Sequence, residues 1–559
     1  MRSTITTVVL ALVASTAVWA QQAVIKGKVF NPINNEPIPF ANVVIQGTTI
    51  GASTDLDGNY EIKGLEPKLY NLEASSLGFK TATVYEIQTF NNRPVFVDIE
   101  MVENAQLLEA VEVVASPFSK KEEAPVSMRT IGVSEIERNP GGNRDISRVI
   151  QSLPGVASSP SFRNDIIIRG GAPNENRFYL DGVEVPNINH FATQGASGGP
   201  VGLINVLFIK EVEFYSGAFP ANRGNALSSV FDFTQKDGNP DGLNANFTVG
   251  SSDYGLTLDG PLGDKTTYVL SVRRSYLQFL FSVLRLPFLP IYNDSQFKVK
   301  TKLNDKNEIT FIGLGALDQF ELNEGANDGL DDPATVERNQ YILGNIAANE
   351  QWNYTVGASY KHFADKSFQQ IVVSRNHLNN TAVKYQDNDE SIEENKILDY
   401  KSQEIENKLR LEHTWRDKGW KWNVGVGYET ATYTNSTYNK IVTTFGDEFI
   451  IDFDSELFLN KFALFSQFSK GFINDRLKMS LGLRTDFSDY NEEMFDILDQ
   501  LSPRLSASYT FAPRWSINAS VGRYYQLPPY TVLGYRDNQN NLVNKQNGVS
   551  YIGCDHAVA

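Results

Sequence analysis

Two apolar triplets in this chain each run into a charge and a glycine. Ile166-Ile167-Ile168 stops at Arg169-Gly170-Gly171, and Phe178-Tyr179-Leu180 stops at Asp181-Gly182. Short buried strands that end at tight turns have this form. The guanidinium of Arg169 and the carboxylate of Asp181 can then face each other at the strand ends. Pairing is required there, since stripping a buried pair of one partner costs about 3–5 kcal/mol. That chemistry is electrostatic and structural. Gly195-Ala196-Ser197-Gly198-Gly199 has the G-x-S-x-G spacing of a nucleophile elbow, which works only where a strand turns sharply into a helix beneath an oxyanion hole. Here the serine sits in a loop of Gly, Ala and Thr with no buried strand before it. Five His and no H-E-x-x-H give no zinc-enzyme signature. Asp328, Asp331 and Asp332, like the run 387–394, lack EF-hand spacing and read as solvated acidic loops. No enzymatic activity, metal or cofactor is expected.

The elements that must hold these residues lie in an exported chain of 559 residues. Residues 1–20 read as a signal peptide: Arg2 supplies the positive start, 5–17 the short apolar stretch, and Val18-Trp19-Ala20 a cleavage site before Gln21. No cysteine lies near the cut, so the product is expected to leave the cytoplasm without a lipid anchor. Cys554 is the only cysteine, which excludes an internal disulfide. A net charge of -16 with a pI near 5.0 argues against nucleic acid as a partner. Mean hydropathy is -0.29, and no apolar run reaches the ~20 residues of a membrane helix. The nearest, 276–292, is broken by Arg285, Pro287 and Pro290. A closed β-barrel, however, crosses lipid with strands of about 9–11 residues that are apolar only on alternate positions. The 34 Phe and 24 Tyr suit aromatic belts at two membrane interfaces.

Three blocks follow the leader. Residues 23–101 carry short apolar stretches, 24–30, 41–46, 60–62, 70–75 and 95–101, with turns at 32–37 and 55–59. This spacing predicts a small β-sandwich. Residues 105–236 mix strand and helix: Asn143 or Asp145 caps a helix bearing Ile146, Val149, Ile150 and Leu153, and Pro154-Gly155 stops it. The two charge-glycine strands follow, then a glycine-rich loop over 187–202 and strands near 212–215 and 229–234, the pattern of an α+β domain. Residues 240–559 are strand after strand. Tyr354, Val356, Ala358 and Tyr360 share one face against Thr355, Gly357, Ser359 and Lys361; Val424, Val426 and Tyr428 oppose Gly425, Gly427 and Glu429; Met479, Leu481 and Leu483 oppose Ser480, Gly482 and Arg484. A dozen or more such strands, with short turns alternating with long loops at 318–337, 386–400, 436–450 and 488–501, predict an outer-membrane barrel. The fold class is mainly β: an N-terminal sandwich, an α+β domain, and a transmembrane antiparallel β-barrel.

The motifs resemble a known family. Gly27-x-Val29, Pro39-x-Ala41-Asn42-Val43, Gly47-Thr48, Thr54-Asp55-x-Asp57-Gly58-x-Tyr60 and Leu77-Gly78-Phe79 resemble a carboxypeptidase-regulatory-like (transthyretin-like) domain. Ile168-Arg169-Gly170-Gly171 with Leu180-Asp181-Gly182-Val183 resembles the plug of TonB-dependent outer-membrane receptors. So does Phe214-Tyr215-Ser216-Gly217-Ala218-Phe219-Pro220-Ala221 with Gly224. Ser502-Pro503-Arg504-Leu505 and Gly522-Arg523-Tyr524-Tyr525-Gln526-x-Pro528 resemble barrel segments of the same family.

That resemblance implies import of a scarce ligand (siderophore, vitamin, oligosaccharide or peptide) through a plugged barrel in the outer membrane of a Gram-negative bacterium. The periplasmic partner is TonB, and a surface lipoprotein is a further candidate partner. Glu109, Ala110, Val111, Glu112, Val113, Val114 and Ala115 resemble a TonB box, an extended β-prone segment able to add an edge strand to a partner. The other readings of that segment are a first plug strand or a plain linker. Arg169, Gly170, Gly171, Asp181 and Gly182 become structural latches of the plug. Ligand contacts are expected from Arg163 and Asn164, from 173–176 with Asn174, and from 187–191 with Asn187, His190 and Phe191; a locally bonded loop histidine is the plainer reading of His190. A signalling receptor and a surface adhesion protein are the alternative functions. Family barrels have about 22 strands, and this sequence offers about two-thirds of that length before ending at Cys554-Asp555-His556-Ala557-Val558-Ala559. The expectation is therefore an incomplete barrel, from a truncated or frameshifted product.

Overall fold

The computed structural model describes residues 22–558 except 92, 105–122, 125, 127, 143–144, 159–162, 196–197, 443–447, 513–514 and 538. The expected leader, the 109–115 segment, Asn143 and Ser197 lie outside the described residues. The chain divides into two units, 1–115 and 116–559.

In the first unit, two four-stranded sheets share one apolar core. Ala23–Phe30 lies between antiparallel Asn59–Leu65 and parallel Pro94–Phe96, with Ile99–Glu100 also paired to it. The second sheet runs in the order Gly51–Ser53, Asn42–Ile45, Leu69–Ser75, Ala82–Gln88. Alternation turns Tyr60 and Ile62 inward from one strand and Leu72 and Ala74 from another, and Leu65 joins the same core past a break in the alternation at Gly64. The turn between Ser53 and Asn59 is closed by Asp55, whose Oδ1 accepts from the N–H of Asp57 (3.0 Å) and Asn59 (2.8 Å). Ala82–Gln88 escapes the sequence pattern because Ile87 is its only fully buried residue.

The second unit contains an α+β domain built on a five-stranded mixed sheet, ordered Val183–Val185, Asn176–Leu180, Ser229–Gln235, Ile209–Tyr215, Met128–Gly132. Phe178, Phe231 and Phe214 stack through its centre, with ring centroids 5.5 and 4.7 Å apart. The helix Ile146–Gln151 buries Ile146, Val149 and Ile150 against it, and Asp145 caps that helix by accepting from Ser147 N. Both charge-glycine pairs are tight turns with left-handed backbone: φ is 51° and 84° at Arg169-Gly170, and 48° and 83° at Asp181-Gly182. The second joins Asn176–Leu180 to Val183–Val185 as a two-residue hairpin.

Residues 244–558 form one antiparallel sheet of fourteen strands in sequence order, from Asn244–Val249 to Ile552–Val558; among the described residues these two edge strands do not pair with each other. Each strand shows two faces. In Lys396–Asp417, Ser402, Glu412 and Thr414 are buried on the concave face, while Leu409 and Leu411 point away from it and are exposed. Val424, Val426 and Tyr428 likewise point outward, as do Met479, Leu481 and Leu483. The central strands are long, reaching 22 to 25 residues in Lys396–Asp417, Trp420–Val442 and Glu448–Phe472, about twice what a bilayer requires.

That length corrects one expected loop. Over 436–450 the strands continue to Val442 and resume at Glu448, with Ser436 opposite Asp454. Toward the ends of strands this long both faces of a hairpin meet solvent, so polarity there ceases to mark a loop. The loop expected over 318–337 instead runs over 323–347, between the strands Asn307–Leu322 and Ala348–Ala364, and contains the helix Pro333–Asn345, capped by Asp332. The apolar run 276–292 holds the seven-residue helix Leu277–Val283 and then a strand, Phe288–Asn304. A further loop, 527–551, folds back so that Tyr530 and Leu533 pack with Tyr433, Leu457, Tyr490 and Met494.

Candidate functional site

The concave face of the long sheet encloses the α+β domain. The seam between them is mixed: Ile312, Leu314, Ala316 and Val372 of the wall extend the domain's apolar core, and polar contacts fill much of the rest. One side is anchored on Phe288–Asn304. Asp181 accepts from Gln235 N (2.9 Å) and Nε2 (3.0 Å), and Lys298 Nζ lies 3.2 Å from the same carboxylate. Lys298 also reaches Asp237 at 2.8 Å, and Gln296 donates to the Gln235 side chain at 2.8 Å. Asn205 donates from its backbone to Gln296 and from its side chain to Ser271. The expected Arg169–Asp181 pair does not form. Arg169 is exposed beside a small ladder, Val156–Ser158 with Ile166–Ile168; its backbone N–H donates to Gly155 O at 3.0 Å and its guanidinium to Ser216 Oγ at 3.5 Å. The two turns share a local motif but belong to different sheets, so their charges diverge.

Opposite, the hairpin turn meets the wall through its main chain. Arg410 Nη2 donates to Gly182 O at 2.7 Å, and Glu184 pairs with Lys408 at 3.1 Å. Gly182 is required by this approach as well as by its φ, since a Cβ there would sit 3.3 Å from Arg410 Nη2. Residues 219–223 lie over two wall arginines. Arg484 donates to Ala221 O (3.1 Å), and Arg504 donates to the carbonyls of Pro220 and Arg223 (2.7 Å each). A Cβ on Gly224 would fall 2.1 Å from Arg484 Nε, which explains a glycine at that point of the motif.

The third anchor is His190. Its ring is wholly buried, with Nδ1 2.6 Å from Asp318 and Nε2 3.1 Å from Asp294. Arg273 Nε donates to Asp294, and its Nη2 donates to Leu203 O at 2.6 Å. Tyr292 packs against the imidazole at 4.3 Å. Ionised carboxylates only accept, so satisfying both requires the doubly protonated ring. Burial works against that charge, but Asp318 and then Asp294 outweigh it and hold the His190 pKa at about 9. Next along the chain, Phe191 N donates to Asp318 (2.8 Å), Ala192 exchanges two hydrogen bonds with Gln351, and Gln194 donates to Ser402.

The other expected ligand contacts separate into two kinds. Asn164 is buried, donating to Asp145 Oδ2 (2.6 Å) and Pro200 O, while Asp145 also accepts from Gly202 N. Asn187 is buried too and closes its own turn with Asn189. Arg163, Asn174 and Phe191 remain partly exposed; Arg163 pairs with Asp165 at 2.7 Å, and Asn174 O accepts from Gln526. The wall residues of the seam escaped the sequence pattern. Charges on the inward face of alternating strands, such as Asp294, Asp318, Lys408 and Arg410, were the available signal.

Comparison with known proteins follows the same division. Residues 25–113 match the CarboxypepD_reg-like domain, 120–230 the TonB-dependent receptor plug domain, and 292–551 the TonB-dependent receptor-like β-barrel. The TonB-dependent transporter Oar of Myxococcus xanthus is 26% identical over 324 residues, covering 50% of this chain and 29% of Oar. The TonB-dependent receptor SusC of Bacteroides thetaiotaomicron is 23% identical over 257 residues, 44% of this chain and 24% of SusC. Among solved structures, the ferric enterobactin receptor PfeA of Pseudomonas aeruginosa shares the fold with a TM-score of 0.55 at 16% identity, over 73% of this chain and 64% of that one. The chain thus spans less than a third of the two relatives' length and about two-thirds of the solved receptor. These matched domains are those of receptors rather than enzymes, and in their order along the sequence they make this chain a member of the TonB-dependent receptor family, with a carboxypeptidase-regulatory-like domain ahead of its plug.

Proposed function

We propose that the chain serves as an outer-membrane receptor that imports a scarce ligand when TonB pulls on residues 109–115. In this reading residues 1–20 are removed on export, 23–101 form a periplasmic module, 105–236 carry the TonB box and plug, and 240–559 belong to the barrel. The ligand, a siderophore, vitamin, oligosaccharide or peptide, arrives from the side of the long loops. It meets Arg163, Asn174 and Phe191, while Asn164, Asn187 and His190 hold the plug's shape.

The polar contacts of the seam support this reading above all else. Wall arginines and lysines grip the plug by loop carbonyls and ion pairs, through Gly182, Ala221, Arg223 and Glu184. Water can take over each such contact as the plug withdraws, which an apolar joint would not allow. Deleting 109–115 from a full-length receptor is expected to leave membrane insertion and ligand binding intact and to abolish energised uptake. Uptake equal to that of the undeleted receptor overturns the proposal.

A further inference from the structure

We propose that the outward face of the wall carries a seat for one anionic acyl lipid, its phosphate on Arg375 and a chain in the groove beside it. The inference rests on the membrane-embedded reading above. Arg375 belongs to the strand Ser367–Tyr385, where Val372 and Asn376 are buried toward the bore while Val373 on the opposite face is 49% exposed. Arg375 shares that outward face with Val373. Its partners are neutral: Nε donates to Tyr354 Oη at 3.1 Å and Nη1 to Asn407 Oδ1 at 2.8 Å. Asn407 in turn donates to Thr430 at 3.1 Å, so a polar row crosses four strands. Among the described residues no carboxylate lies within ion-pair distance of this guanidinium, and Nη2 has no protein acceptor. A cation held on a lipid-facing wall without a counter-charge favours an anion from the lipid itself.

The surroundings fit such a lipid. Two residues toward the short-turn end, Phe311, Ala358, Val373, Leu409 and Tyr428 stand side by side across the strands. The small Ala358 between larger neighbours leaves an apolar groove of about 570 Å³ that reaches Arg375. Toward the long-loop end, Trp352 packs on Tyr354 (6.2 Å) and edge-on to His377 (4.5 Å), an aromatic cluster of the kind that marks the headgroup level. Arg375 therefore stands between headgroup-level rings and an acyl-lined groove, where a phosphate and its chain separate.

Native mass spectrometry of the full chain, extracted from outer membranes and delipidated in micelles, tests this with dioleoyl phosphatidylglycerol and dioleoyl phosphatidylcholine as probes. The first phosphatidylglycerol adduct is expected at about fivefold lower concentration than the phosphatidylcholine adduct, the effect of one cation near an anionic headgroup. Arg375→Gln should erase that preference, Arg375→Lys should keep it, and Ala358→Trp should weaken both adducts by filling the groove. Equal phosphatidylglycerol binding by the unaltered chain, Arg375→Gln and Ala358→Trp overturns the seat and leaves the membrane reading standing. A dimer lost in Arg375→Gln without any lipid adduct overturns it in favour of a second copy. A water-soluble chain without heat-modifiable gel mobility overturns the membrane reading, and this site with it.

Discussion

His190 shows what a single side chain does in this seam. Its imidazolium and Arg273 balance Asp294 and Asp318, so that each buried charge has a counterpart. His190→Gln leaves Asp318 buried without its cation, and plug attachment is expected to weaken by about 3–5 kcal/mol. A lower urea concentration for plug release, read by protease access, checks this. The pH dependence follows from the pKa of about 9 against an ordinary 6.5. The bound plug holds more protons than the released one across that window, so the contribution of His190 is complete below about pH 6.5 and is lost as pH rises through 9. Release midpoints of the unaltered protein should fall between pH 7 and 9.5 more steeply than those of His190→Gln; parallel curves would refute the assignment. Arg169 is the contrasting case. Exposed and touching Ser216 at 3.5 Å, it should tolerate Arg169→Ala within about 0.5 kcal/mol. Unchanged thermal unfolding and protease resistance of the plug are the expected results.

At the scale of the element, the two-residue hairpin at Asp181-Gly182 combines three demands on one glycine. The backbone needs a left-handed φ of 83°, the carbonyl must meet Arg410, and the side-chain position faces that same guanidinium. Gly182→Val is expected to cost about 1–2 kcal/mol in backbone strain alone, with a further loss as Arg410 is displaced. Hydrogen exchange should accelerate in Asn176–Leu180 and Val183–Val185 while the strands of the first unit keep their protection; uniform exchange would show that the turn tolerates a branched side chain.

For the whole second unit, the plug's apolar core continues onto the wall at Ile312, Leu314, Ala316 and Val372, and the seam around that patch is made of charges and amides. Buried pairs are screened little by salt, whereas urea competes directly for amide and carbonyl groups. Sodium chloride at about 1 M is therefore expected to leave the plug in place, and urea to release it before the wall strands unfold. Protease cutting within 163–200, followed as a function of each agent, distinguishes the two. Release by salt alone would mean that the seam is wetter than the burial of Asp294, Asp318 and Lys298 indicates.

Local rules determine much of this protein. Alternation at period two assigned the faces of Trp420–Val442 and Leu477–Ser488, and the charge-glycine pairs announced tight turns, because pleating and φ preference act between neighbours in sequence. The partners were decided elsewhere. His190 finds Asp294 and Asp318 across 104 and 128 residues, Asp181 finds Lys298 instead of Arg169, and Asn164 turns inward to Asp145. The continuation of the strands beyond 436 also depends on the pairing of Trp420–Val442 with Glu448–Phe472. Such choices follow from how a long sheet curves around a separately folded domain, and no spacing along the chain encodes that curvature.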